Sequence, residues 1–195
     1  MRLRFSGTIT GLGTTSGRRV VIGDWPDSPY GPFTDVMVED AGGHRTLLAP
    51  TRQVADFVSA TYFFDEVLIT PVTCEDGYVV AGPLTVRVTV GRRTALGRLL
   101  RAVPGVLARQ TWWAALLDPV ARTVLRGVRT RVTAKAGDRE WYAARDQHAV
   151  TAAVVTWDGQ DCGALADVVP PVRFGPGSTP PRPSVVRLTS TVERA

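Results

Sequence analysis

Most of this chain is written in period two. Residues 3–10 alternate apolar and polar side chains, and Arg18 to Trp25 does so less cleanly. Phe33 to Glu39, His44 to Ala49, Glu66–Thr73, Tyr78–Ala81, Leu84–Val90 and Val185 to Val192 are short runs of the same kind. Alternation puts every second side chain on one face, as a half-buried strand requires. In Phe33 to Glu39 it separates Phe33, Asp35 and Met37 from Thr34, Val36 and Val38. Gly42-Gly43, Glu75-Asp76-Gly77 and Gly82-Pro83 stand between runs as turn signals. Strands joined by short turns pair antiparallel, because a parallel pair needs a long crossover. The pattern predicts an α+β fold built on a curved antiparallel sheet or partial β-barrel, not a doubly wound α/β fold.

Two interruptions have helical spacing. Thr51 follows Pro50 and precedes Val54, Phe57, Val58 and Tyr62, an N-cap followed by an apolar stripe, which predicts a short helix over 51–62. Thr94 opens a longer helical region over 94–126, striped by Leu96, Leu99, Leu100 and Val103. Pro104 and Asp118-Pro119 restart it. Period two then returns in Val128–Ala134 and Glu140–Trp157, around Ala136-Gly137-Asp138. The stretch from Pro170 to Pro183 reads as a wrapping loop. With 195 residues and no internal repeat, the chain suits a single domain over 1–195.

Gly11-Leu12-Gly13-Thr14-Thr15-Ser16-Gly17 reads as the loop of a hairpin. Its G-x-G is followed by strand-like Arg19-Val20-Val21-Ile22, whereas a dinucleotide site needs a helix whose N-terminus meets the phosphates. Cys74 and Cys162 are 88 residues apart without a CxxC partner, so two reduced thiols are expected in place of a disulfide framework or zinc site. His44 and His148 belong to no H-E-x-x-H, and G-x-S-x-G is absent; no metal and no cofactor are expected.

Charge is polarised. Nine of 22 arginines fall between Arg92 and Arg131 with one acid, Asp118, so this window carries +8 and the rest of a chain of net charge +5 sums to −3. A basic helical face can solvate the outside of a bundle, lie on anionic lipid or bind nucleic acid. Arg98, Arg101 and Arg109 are the candidate contacts to a membrane or an anion. Nucleic acid is disfavoured, because no RNP, KH or helix-turn-helix pattern is present. Leu99 to Leu117 carries Arg101, Arg109 and Pro104, a poor spanning segment. Met1 to Gly7 is too polar for a secretory h-region, which makes the cytoplasm the expected location. The oligomeric state is not written in the sequence.

The strand from Glu140 would place Tyr142, Ala144, Asp146 and His148 on one face. There Asp146 could orient the His148 imidazole as a general base requires, which makes the two weak catalytic candidates. Tyr30, Phe33, Asp35, Tyr142, Asp146 and His148 are the expected lining of a ligand pocket between sheet and helices.

Three stretches resemble a family of short uncharacterised actinobacterial proteins: Ser28-Pro29-Tyr30-Gly31-Pro32-Phe33-Thr34-Asp35-Val36-Met37-Val38, Tyr142-Ala143-Ala144-Arg145-Asp146-Gln147-His148, and Pro171-Val172-Arg173-Phe174-Gly175 onward. That resemblance brings no assigned activity. The first stretch is also similar to the S-x-x-G-P-Y-x-E segment of acetoacetate decarboxylase-like proteins, with Gly31-Pro32-Phe33 in place of Gly-Pro-Tyr and Asp35 in place of the acid. The resemblance implies an antiparallel β-rich domain around a closed pocket and a Schiff-base lysine. The single lysine, Lys135, sits at an expected hairpin turn, and the family's glutamate-containing run before its lysine is missing. The fold carries over more readily than the chemistry. Small-molecule binding is therefore the expected function. A decarboxylase-like enzyme with altered chemistry and a peripheral membrane or interaction module are the alternatives.

Overall fold

The computed structural model describes residues 2–102, 131–133, 139–175 and 179–193. Arg109, Lys135, the turn at Ala136-Gly137-Asp138 and the helical region past Ala102 lie outside them. The first four strands are β1 (Arg2–Thr14), β2 (Arg19–Asp27), β3 (Phe33–Glu39) and β4 (Arg45–Ala49), followed by helix α1 (Arg52–Thr61). Then come β5 (Glu66–Ile69), β6 (Val72–Glu75), β7 (Tyr78–Ala81), β8 (Leu84–Arg93) and helix α2 (Ala95–Ala102). The last are β9 (Arg131–Thr133), β10 (Arg139–Trp157), β11 (Gln160–Asp161), β12 (Leu165–Ala166) and β13 (Ser184–Glu193).

The strands form one sheet in the order β5-β4-β3-β2-β1-β13-β10-β8-β7-β6, with β9 and β11 beside β10 and β12 beside β1. The sheet curls into a half-barrel. On its inner face Leu12, Val20, Ile22, Val36, Val38 and Leu48 of one arm pack with Val79, Ala81, Leu84, Val86 and Val155 of the other. Full burial of such side chains contributes about 1.5–3 kcal/mol each. This is an α+β fold on a curved sheet, as the alternation predicts, although helix is scarce among the described residues.

The sheet is mixed, which corrects the expectation of antiparallel pairing throughout. β4 and β5 run parallel, Thr46 opposite Glu66 and Ala49 opposite Ile69. The chain between them passes through α1, and that crossover returns it in the same direction. The run 66–73 is also two strands, broken at Thr70-Pro71.

The outer face of β1–β4 is buried as well. Leu47 and Ala49 meet Val54, Ala55 and Val58 of α1. Val21 meets Val168, Val172 and Phe174 of the returning tail. Two buried faces explain why Val20-Val21-Ile22 is continuously apolar and why β2 alternates poorly. Thr51 caps α1, its hydroxyl accepting from the Val54 N–H at 3.2 Å.

The glycine-rich stretch is mostly strand. The reversal is confined to 15–18, where Gly17 takes a positive φ of 83° and the Thr14 N–H donates to the Arg18 carbonyl at 2.9 Å. Gly13 stays in β1 for a different reason: a Cβ there would stand 2.3 Å from the Asp167 carbonyl oxygen of the tail. The tail is also held by charge. Glu39, fully buried, lies 3.3 Å from the Arg19 guanidinium and accepts from the Arg173 backbone N–H at 2.7 Å. Cys74 and Cys162 are free thiols, and burial pushes the Cys74 thiol up from its ordinary value.

Candidate functional site

One row of the outer face is left open beneath α1. β3 pairs with β2 in a register that sets Asp35 opposite Gly23, Phe33 opposite Trp25 and Met37 opposite Val21. β1 sets Ile9 opposite Gly23 on the other side. Further along, Phe5 stands opposite Ser190 of β13, and Ser190 opposite Tyr142 of β10. Those side chains floor a cavity of about 50 Å³, and Phe57 and Val58 of α1, with Thr61 and Tyr62 at its end, roof it. One water needs ~10–15 Å³ of such space, so the cavity admits a group of a few heavy atoms.

The walls are aromatic. Phe5 stacks on Phe57 with ring centroids 4.9 Å apart, and meets Trp25 and Phe33 edge-on at 5.9 Å and 6.4 Å. Tyr30 does not line the cavity but packs behind it, 5.2 Å from Phe57. The hydroxyls of Tyr62 and Tyr142 hydrogen-bond each other across the far end.

Among the described residues, Asp35 is the charged group of this floor. It is 3% exposed, and its Oδ1 accepts from Trp25 Nε1 at 3.0 Å. Burial pushes its carboxyl up to about 7, and the Trp25 hydrogen bond opposes that shift without cancelling it. Gly23 makes the arrangement possible: a Cβ there would sit 2.6 Å from Trp25 Nε1 and 2.7 Å from Asp35 Oδ1. No lysine, arginine or histidine among the described residues lines the cavity.

Asp146 and His148 stand elsewhere, which corrects the single face expected for Tyr142, Asp146 and His148. β10 carries a bulge between Ala144 and Asp146: Ala144 pairs with Leu188, yet Asp146 pairs with the next residue, Arg187. One extra residue reverses the alternation, so Asp146 and His148 turn to the face opposite Tyr142. The two remain neighbours, His148 Nε2 lying 3.7 Å from Asp146 Oδ2. The principal partner of Asp146 is Arg93, whose Nε donates to Oδ1 at 2.8 Å. That hydrogen bond, before the weaker attraction of His148, holds the Asp146 carboxyl below its ordinary value. His148 Nδ1 is 3.2 Å from the Gly91 carbonyl. These contacts tie β10 to β8 and describe a junction more than a pocket.

Arg98 and Arg101 are exposed on α2, with Leu99 65% exposed between them. Arg101 approaches Asp146 at 3.9 Å. Thr94 caps this helix, accepting from the Gly97 N–H at 3.0 Å. Among the described residues no helix is long and apolar enough to cross a membrane, and no group of three His, Cys, Asp or Glu could hold a metal.

Of the six residues expected to line a pocket, the cavity collects Phe33, Asp35 and Tyr142. It adds Trp25, Phe5 and Gly23, which sequence reasoning does not single out. It also takes Phe57 and Tyr62, two members of the α1 stripe, as a wall. A signal for Gly23 is present in the sequence: a glycine inside a strand marks a close approach.

No family model matches this chain. No curated protein matches it either. A solved structure assigned as AttH, from Nitrosomonas europaea, is similar at 11% identity and a TM-score of 0.29, over 100% of this chain and 52% of that one. The chain thus spans about half the length of that protein, and a likeness at this level supports nothing about fold or activity.

Proposed function

We propose that this chain is a single domain that binds a small molecule in the cavity between the outer sheet face and α1. The observation that carries the reading is Asp35. An ionisable carboxyl 3% exposed in an aromatic cavity costs stability unless a partner compensates it. The hydrophobic effect gives no reason to place one there; a ligand that uses it does. The cavity has the general make-up of a ligand site, apolar walls with few polar groups. Native mass spectrometry of small molecules co-purifying with the full chain tests this. The expected result is a bound species present in wild type and lost in Asp35→Asn. Equal occupancy in both proteins overturns the assignment of the site.

The raised Asp35 carboxyl favours a second reading, an enzyme in which it transfers a proton near neutrality. Acetoacetate decarboxylase-like chemistry would also need a Schiff-base lysine, and only Lys135 is available. Borohydride trapping with acetoacetate or pyruvate should leave the intact mass unchanged. A stoichiometric adduct on Lys135 would replace binding by catalysis. The third reading, a membrane contact through Arg98, Arg101 and Arg109, is tested by pelleting with anionic vesicles, where no salt-sensitive pelleting is expected.

A further inference from the structure

We propose that the group the cavity accepts is a cationic nitrogen, a primary or methylated ammonium, held between the Asp35 carboxylate and the surrounding aromatic rings. The inference rests on the ligand-binding reading and names its ligand class.

The chain treats Glu39, the other buried acid among the described residues, and the partly buried Asp146 differently. Glu39 has the Arg19 and Arg173 guanidinium groups, each 3.3 Å away. Asp146 has Arg93 at 2.8 Å. With 22 arginines available, Asp35 is paired with none of them among the described residues, and its side-chain partner is an indole N–H, which carries no charge. Its position therefore has a place for a positive charge that the described residues do not fill.

The walls suit the same ligand. The faces of Phe, Tyr and Trp rings attract ammonium groups. Phe5, Trp25, Phe33, Phe57, Tyr62 and Tyr142 all border the space around Asp35. An anionic ligand would meet a carboxyl with no cation among the described residues to receive it. A purely apolar ligand would leave the carboxyl as costly as before. A volume of about 50 Å³ fits an ammonium head and leaves any longer substituent to extend past the partly exposed Phe33 and Phe57.

Binding is coupled to a proton. An ammonium requires the carboxylate, so each binding event at neutral pH drives the protonated fraction of Asp35 to release its proton to solvent. Among the described residues, the titratable groups that line the cavity with Asp35 are Tyr62 of the turn after α1 and Tyr142 of β10. β1, β2, β13 and α1 place no charged group there. Among the described lining residues, the carboxyl alone sets the dependence between pH 5 and 8. Affinity for a permanently charged ligand should weaken about tenfold for each pH unit below about 7.

The test follows the Trp25 indole N–H of the full chain by NMR, assigned through Trp25→Phe. Choline and butylammonium are titrated against their neutral counterparts, dimethylbutanol and butanol. Saturable shifts are expected with the cations only, stronger at pH 8 than at pH 6, and absent in Asp35→Asn, whose fold is checked by its own spectrum. If the alcohols bind as well as the cations, the charge inference falls and the binding reading stands. The charge inference alone also falls if the cations fail while members of a neutral fragment library shift the indole. If no compound of any class shifts it, both fall.

Discussion

Gly23 stands directly across the β2–β3 ladder from Asp35, and its missing side chain is the space in which the Trp25 indole reaches the Asp35 carboxyl. Three residues on two strands thus form one unit: the glycine supplies room, the tryptophan a neutral donor, the aspartate a buried acid. Each can be changed separately.

Asp35→Asn should stabilise the protein at alkaline pH. A folded value of about 7 against 3.8 means that the folded state holds its proton more tightly than the unfolded chain. Stability therefore falls as pH rises between about 4 and about 7, and the full penalty, about 4 kcal/mol, is present above that window. The amide can still accept from Trp25 and does not ionise. Denaturant unfolding should show the variant more stable than wild type at pH 8 and close to it at pH 4. A parallel pH dependence in the two proteins would mean that Asp35 ionises freely.

Gly23→Ala should cost about 1–3 kcal/mol through overpacking, because the new methyl lies under 3 Å from both the indole nitrogen and the carboxyl oxygen. The Trp25 indole N–H resonance should move towards its free position. An alanine variant with unchanged melting temperature and unchanged indole shift would contradict the packing described.

Much of this arrangement is legible in the sequence. The period-two reading of β3 puts Phe33, Asp35 and Met37 together, and all three border the cavity. Thr51 and Thr94 cap helices at the expected places. What stays hidden has physical causes. Alternation cannot announce a bulge, so one extra residue near Arg145 separates Tyr142 from Asp146. Gly11 and Gly13 look like a turn because their role, yielding to Thr179 and to the Asp167 carbonyl, depends on chain 150 and more residues away. Trp25 precedes Pro26 at the ragged end of β2, where its partner on β3 cannot be read from spacing. The parallel β4–β5 pair depends on how α1 packs, which local pattern does not specify.

Glu39→Ala should destabilise strongly, by about 3–5 kcal/mol, since removing one partner of a buried pair strands the other charge. Arg19 is 2% exposed and would keep backbone acceptors at Pro170 and Asp40 but lose its counter-ion. Hydrogen exchange should rise first in residues 168–175, where the Arg173 N–H loses its acceptor. Replacing Glu39 and Arg19 together by Met should recover part of the loss.

Asp146→Asn should destabilise at neutral pH and matter little in acid. The Arg93 hydrogen bond holds this carboxyl below its ordinary value, so its contribution is present above about pH 4 and is lost as pH falls through the folded value. Thermal melts of variant and wild type should converge as pH drops through 4 towards 2. A constant difference across that range would show that the pair contributes no charge-dependent stability.

The double burial of β2 has a consequence for how the chain finds its fold. Where one face of a strand is wet, slipping by one residue exposes its apolar set and the error is rejected. Val20-Val21-Ile22 offers no such penalty, since either alignment buries hydrocarbon on both sides. Glycine adds discrimination beyond that of the buried Arg19–Glu39 pair. In the native alignment a Cβ at position 7 would stand 2.0 Å from the Asp24 carbonyl oxygen, and one at 23 would strike the indole. A slipped pairing would bring residues that have a Cβ into those gaps. The empty positions at Gly7 and Gly23 thus add to the preference for one alignment of the β1–β2–β3 meander, the one in which they meet the Asp24 carbonyl and the Trp25 indole.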